Sequence, residues 1–258
     1  MLKRPDRRRT LGYLGAAGAG VLVGCARSVL RAEVESELGA GGDAPGTEGS
    51  SGRAGSPNGS APTCLVRPEQ TEGPYFLDEM LNRSDIRIDP VSGVQKPGVP
   101  LEVSLRVFDA SEGACVPLSG ALVDLWQCDA AGIYSDVAEL GTSGQRFLRG
   151  HQLTGVTGDA SFVTVYPGWY PGRTPHLHFK VRFVDRRGTS RAFTSQLYFE
   201  EGVNDAVLAG ELYAARGPRS VSNATDAIFR AGGSELILPV APKGSGYAGA
   251  FEIGLILA

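Results

Sequence analysis

The sequence predicts an all-β protein, an antiparallel β-sandwich with few short helices. Two observations carry that prediction. Apolar and polar residues alternate over short runs, which is the period of a half-buried strand. Gly at 36 and Pro at 16 of 258 residues supply turns between those runs and leave little room for long helices. With 42% hydrophobic and 21% charged residues, the composition is globular and supports one well-buried core.

The first element is an address rather than a strand. Residues 4–25, "RPDRRRTLGYLGAAGAGVLVGC", set a basic stretch before a Gly/Ala-rich apolar run of signal-peptide length. Arg8-Arg9-Thr10-Leu11 resembles a twin-arginine export signal, and Leu22-Val23-Gly24-Cys25 resembles a lipoprotein cleavage box with Cys25 as the lipid anchor. The run is too short and Gly-rich for a good transmembrane helix. Residues 1–25 are therefore read as a twin-arginine-type signal with a lipobox, and the protein as exported: periplasmic, or a membrane-tethered lipoprotein. Their net charge of +4 hides a −7 on the remainder within the formal total of −3. No basic patch follows, which excludes nucleic acid as a partner.

Residues 26–63 form the next segment, and 39–63 are low-complexity Gly/Ser/Pro, a flexible linker with no capacity for a core. The folded domain is expected over 64–258. It opens at Cys64. With Cys25 lipidated, Cys64, Cys115 and Cys128 allow one disulfide and one free thiol in an oxidising compartment, and the spacing leaves the pair open.

The strands follow in order. "LEVSLRVFD" at 101–109 puts Leu101, Val103, Leu105 and Val107 on one face. "ALVDLW" at 121–126, "SFVTVYP" at 161–167, "HLHFKVRF" at 176–183 and "SQLYF" at 195–199 come next. "ELILPV" at 235–240 and "GAFEIGLIL" at 249–257 complete the set, while 205–217 reads as a short helix or an irregular excursion.

One stretch, "YPGWYPGRTPHLHFKV" at 166–181, holds two of the three histidines. On a strand, Leu177, Phe179, Val181 and Phe183 share the core face, while His176, His178, Lys180 and Arg182 share the other. Imidazoles at i and i+2 point the same way and lie close enough for one metal ion. A solvated polar face is the competing reading at this level.

Four segments then resemble the intradiol ring-cleavage dioxygenases, in that family's order: "PEQTEGPYF" at 68–76, "GALVDLWQCDAAGIYSDV" at 120–137, the stretch 166–181, and "TSQLYF" at 194–199. The resemblance implies that family's β-sandwich and a non-haem Fe(3+) held by two tyrosines and two histidines. Carried over by motif, these are Tyr134, Tyr170, His176 and His178. Tyr166 competes for the second tyrosine position but is read as packing, and Trp126 as core. His151 matches no ligand position and is read as surface or as a residue behind the ligands. Arg173 and Gln196 stand where the family keeps an arginine and a glutamine beside the iron, and Tyr75 is placed near the pocket.

The donor types suit the ion. Ferric iron is a hard acid, phenolate is a hard anionic donor, and a metal removes the proton from a phenol whose free pKa is about 10. The implied reaction joins a catechol-type substrate with O2. It cleaves the ring between the two hydroxylated carbons to a cis,cis-muconate-type diacid, with Tyr170 released to take up a substrate proton. The chain departs from the better-known enzymes in its lipobox and linker, and in the short loop between Tyr170 and His176, which implies a more open pocket. Oligomeric state does not transfer. The alternative is a non-enzymatic exported β-sandwich binding module of transthyretin type, which explains the strands but not the six site residues.

Overall fold

The computed structural model describes residues 64–113 and 115–257. The signal, Cys25 and the linker lie outside the described residues. Among the described residues nine strands make two sheets. The first contains β1 (Pro100–Asp109), β2 (Val116–Pro117), β5 (Asp159–Val165), β8 (Val240–Lys243) and β9 (Gly246–Leu255). Its order is β2-β1-β9-β8, with β5 also paired to β1. The second contains β3 (Leu122–Trp126), β4 (Arg149–Leu153), β6 (His176–Val184) and β7 (Ser190–Tyr198), in the order β4-β3-β6-β7. Two short helices follow β7: α1 (Glu201–Leu208) and α2 (Glu211–Ala214).

Alternation decides which faces meet. Leu101, Val103 and Leu105 of β1 pack with Leu177, Phe179 and Val181 of β6 in one buried core. At roughly 25 cal/mol per Å² of apolar surface removed from water, such side chains stabilise by about 1.5–3 kcal/mol each. Substituting one of them with Asp would leave a charge with no partner there.

Several expectations are corrected. The sandwich is not wholly antiparallel, because β1 and β9 run parallel from Leu101–Tyr247 to Asp109–Leu255. The whole intervening domain serves as the crossover that a parallel pair requires. The run 235–240 is not a strand. Gly233–Leu236 forms a 3-10 turn, Ile237 makes an isolated parallel bridge to Tyr198, Pro239 has no N–H to donate, and strand pairing resumes at Val240. Strand β4 escapes the period-two reading because Arg149, Gly150 and His151 are all buried. The segment 205–217 resolves into α1, which begins upstream at Glu201, and α2.

Cys64 and Cys115 form the disulfide, and Cys128 is the buried free thiol. Among the described residues no helix is long and apolar enough to cross a membrane.

The outer face of the second sheet carries the polar side chains. Register places Arg149, Trp126, His178 and Gln196 in one row across its four strands. His176 lies opposite Tyr198, one pleat further on. This face is not open to water: His176 and His178 are 1% and 2% exposed, which decides against a solvated polar face.

Candidate metal centre

Two loops bring tyrosines over the β6 histidines. The first leaves β3 and carries Tyr134. Its backbone is pinned by the Thr142 hydroxyl, which donates to the Tyr134 carbonyl at 2.7 Å, and by Arg149, which donates to both the Ser135 hydroxyl and its carbonyl at 2.8 Å. The second loop carries Tyr170 in a type II-like turn. The Arg173 N–H donates to the Tyr170 carbonyl at 3.0 Å, Pro171 precedes Gly172, and Gly172 has φ +83°. The loops touch at Gly132, where a Cβ would stand 2.2 Å from the Trp169 carbonyl oxygen.

The result is a cluster of facing donors. The Tyr170 hydroxyl lies 3.0 Å from His176 Nε2, and the two Nε2 atoms lie 3.1 Å apart. Tyr134 packs edge-on to Tyr170 and to His178, with ring centroids at 5.8 and 6.2 Å. Tyr75 stacks on Tyr134 at 4.4 Å. Trp126, read from the sequence as core, is buried as expected and also lies flat against the His178 ring at 5.0 Å and 12°. Gly73 brings the 68–76 segment over the same ring, since a Cβ there would meet His178 Cε1 at 3.4 Å.

Protonation follows from the contacts. His176 Nδ1 lies 2.6 Å from the Thr174 carbonyl, which only accepts, so Nδ1 carries the proton and Nε2 presents a lone pair. That lone pair is approached at once by the Tyr170 hydroxyl, by an Arg173 N–H at 3.2 Å and by His178 Nε2. Burial, helped by Arg173, lowers the His176 pKa to about 3, and burial beside His176 holds His178 well below its ordinary range. Burial pushes Tyr134 well above the ordinary phenol range and Tyr170 up to about 12, the latter against the pull of Arg173. Both imidazoles are therefore neutral, and both phenols are protonated.

These residues fit ferric iron. The Tyr134 hydroxyl is buried and has no hydrogen-bond partner, a costly state that a metal bond would relieve. Among the described residues, no three His, Cys, Asp or Glu side chains form a metal-holding group. A metal here would need the phenols, which is the donor set a hard, highly charged cation favours.

Arg173 sits behind the donors. Its Nε donates to Asp226 at 2.9 Å, and its two terminal nitrogens reach His176 Nε2 and Tyr170 on one side and Gln196 and Tyr198 on the other. Gln196 donates to the Thr71 carbonyl at 2.9 Å and accepts from Arg173, so it holds the arginine rather than a histidine ring. Tyr166 is outside the cluster, donating to Asn204 at 2.7 Å. His151, on β4, is buried, not on the surface, and lies opposite Asp124 of β3. Sequence reasoning missed Asp226, Thr174 and Arg149. All three act through backbone or guanidinium contacts that no spacing pattern announces.

Comparison with known proteins agrees with this architecture. The sequence model of a family described as Dioxygenase matches residues 71–229. A catechol 1,2-dioxygenase from Candida albicans is 36% identical over 104 residues, which is 38% of this chain and 31% of that protein. The chain thus matches less than a third of that curated relative's length. The intradiol ring-cleavage dioxygenase from Tetranychus urticae superposes with a TM-score of 0.65 at 30% identity, covering 75% of this chain and 95% of that one. The dioxygenase domain of a dioxygenase–carbohydrate-binding fusion from Streptomyces sp. SirexAA-E is 36% identical with a TM-score of 0.55, covering 75% of this chain and all of that one. The binding-module alternative is thereby set aside, and the chain belongs to the intradiol ring-cleavage dioxygenase family.

Proposed function

We propose that the chain is a non-haem ferric enzyme that opens a catechol-type ring between its two hydroxylated carbons with O2, giving a cis,cis-muconate-type diacid. The observation that carries this reading is the approach of Tyr170 and His178 to the single lone pair of His176 Nε2, beside the unpartnered Tyr134 hydroxyl. Tyr134, Tyr170, His176 and His178 would hold the iron. When bound, it would supply a Lewis-acid centre for the two catechol oxygens and couple the ring to O2.

The chain's own residues divide the remaining work. Tyr134 is 1% exposed and packed between Tyr75 and His178, so it stays in place. Tyr170 is partly exposed on a turn, so it is the phenol that can swing away and accept a proton from the substrate hydroxyl. The Arg173 guanidinium, 3.5 Å from the Tyr170 hydroxyl, favours negative charge on the released phenolate or on the ring. Trp126 and the 68–76 segment keep water from His178.

Export is part of the same proposal. Arg8-Arg9, the lipobox ending in Cys25 and the linker support a periplasm-facing, lipid-tethered enzyme, and the Cys64–Cys115 disulfide suits an oxidising compartment.

The test is a visible absorption spectrum of the full chain loaded with ferric iron, before and after catechol is added without oxygen. A broad tyrosinate-to-iron band that moves to longer wavelength with catechol, then muconate on admitting oxygen, supports the reading. A colourless folded protein rejects it.

A further inference from the structure

The segment 222–229 grips the loop between Tyr170 and His176 through two buried side chains. Asn223 accepts from the Thr174 hydroxyl at 2.8 Å and donates to the Phe199 carbonyl at 2.8 Å. Asp226 is 0% exposed. Its Oδ2 accepts from Arg173 Nε and from the Thr174 N–H, both at 2.9 Å. Its Oδ1 accepts from the N–H groups of Ile228 at 2.8 Å and Phe229 at 3.1 Å. Four donors thus fill the two oxygens and leave the carboxylate one orientation.

A guanidinium is planar, so fixing Nε–H fixes where the terminal N–H groups point. With Nε on Asp226, one terminal nitrogen faces His176 Nε2 and the Tyr170 hydroxyl, and the other faces Gln196 and Tyr198. We propose that Asp226 is a positioning residue of this site: its buried carboxylate aims the Arg173 guanidinium at the Tyr170 hydroxyl and at His176 Nε2. It makes no hydrogen bond to Tyr134, Tyr170, His176 or His178, so it acts through Arg173. The inference rests on the ferric reading above.

An amide is a poor substitute here. Each carboxylate oxygen faces two N–H groups, so an amide in its place would turn its NH2 against two donors in either flip. Asp226→Asn is therefore expected to release Arg173 while preserving side-chain volume.

The experiment is a double-mutant cycle on the iron-loaded full chain: wild type, Asp226→Asn, Arg173→Gln and the double variant. It reads ferric-iron affinity, the visible band, its shift with catechol in the absence of oxygen, and kcat against KM. Removing a partner of this kind lowers metal affinity or activity by about 10–100-fold. That loss is expected for Asp226→Asn in the wild-type background and is expected to shrink below about threefold once Arg173 is Gln. Equal losses in both backgrounds would make Asp226 merely structural and overturn the proposal, as would an unchanged spectrum, affinity and kcat. If Asp226→Asn does not fold, Asp226→Glu enters the same cycle and is judged by the same two outcomes, since its extra methylene displaces the guanidinium while keeping the charge. A wild-type protein with no visible band would instead reject the ferric reading itself, so the two failures are distinguishable.

Discussion

The Nε2 atoms of His176 and His178 stand 3.1 Å apart. His176 already donates through Nδ1 to the Thr174 carbonyl, so its Nε2 offers only a lone pair. Without a cation, His178 must turn an Nε2–H toward it; its own buried Nδ1 has no partner in either tautomer. With a cation, both rings would direct lone pairs at one point.

His178→Ala is expected to abolish ferric-iron binding, and His151→Ala to retain it at full stoichiometry. Both residues are buried, so burial alone does not separate them. Only His178 faces the donor cluster, while His151 on β4 pairs with Asp124 of β3. Iron content after gel filtration, together with the visible band, decides the point. Iron loss in His151→Ala with retention in His178→Ala would reverse the assignment.

Tyr134→Phe separates a ligand from a packing residue by the sign of its effect. The metal-free hydroxyl is buried without a partner, so removing it relieves a desolvation cost of about 1–3 kcal/mol. The metal-free variant is expected to melt at or above the wild-type temperature while losing the visible band. A lower melting temperature for the metal-free variant would mean that the hydroxyl has a bonding partner.

The two loops that carry the tyrosines differ in how much room they leave. Gly132 has φ +74° and a backbone oxygen where a Cβ would go, whereas Gly172 has φ +83° with open space around it. Gly172→Ala is expected to cost about 1–2 kcal/mol from the left-handed conformation alone. Gly132→Ala is expected to cost more than that and to separate Tyr134 from Tyr170. Denaturant unfolding of the two variants, with iron content measured in parallel, checks the order.

Acid is expected to destabilise the metal-free fold from about pH 6 downward, because burial keeps His176 and His178 neutral while an unfolded imidazole gains a proton at about pH 6.5; below about pH 4 the unfolded carboxylates add to the loss. Burial by itself would raise Asp89, but N–H groups of Ser92, Arg146 and Val91 outweigh it and hold the carboxyl below its ordinary range. Burial likewise opposes Asp226, and the Thr174 and Phe229 N–H groups with Arg173 outweigh it. A depressed carboxylate gives stability that is complete above its unfolded pKa and lost as pH falls through its folded value. Glu79 has the opposite sign: burial raises it, so protonation there returns stability as pH falls. Among the described residues the depressed carboxylates, Asp78, Asp85, Asp89, Asp109, Asp159, Asp185 and Asp226, outnumber the raised ones, Glu79 and Asp124. Thermal melts are expected to stay level from about pH 7 to 8, to fall progressively below about pH 6 as unfolded histidines protonate, and to drop further below about pH 4. Asp89→Asn is expected to lower the melting temperature at neutral pH and flatten that acid drop.

Local chemistry determined a good part of this protein from sequence alone. Alternation in "LEVSLRVFD" and "HLHFKVRF" specified strands and their buried faces, because a pleat turns every second residue the same way. The same rule put His176 and His178 side by side, and the Tyr-Pro-Gly-Arg turn before them was legible in its residues. The disulfide partner, the parallel β1–β9 pair and the break at 235–240 were not, because each depends on which distant segment arrives alongside. The sequence also left Trp126 as ordinary core and His151 as surface or supporting, since neither residue type reveals what covers its face of the sheet. Only the tertiary structure lays Trp126 on the His178 ring and brings Asp226 onto Arg173 across 53 residues. Periodicity is set by neighbouring peptides, but a hydrogen bond between remote side chains exists only once the sandwich has closed.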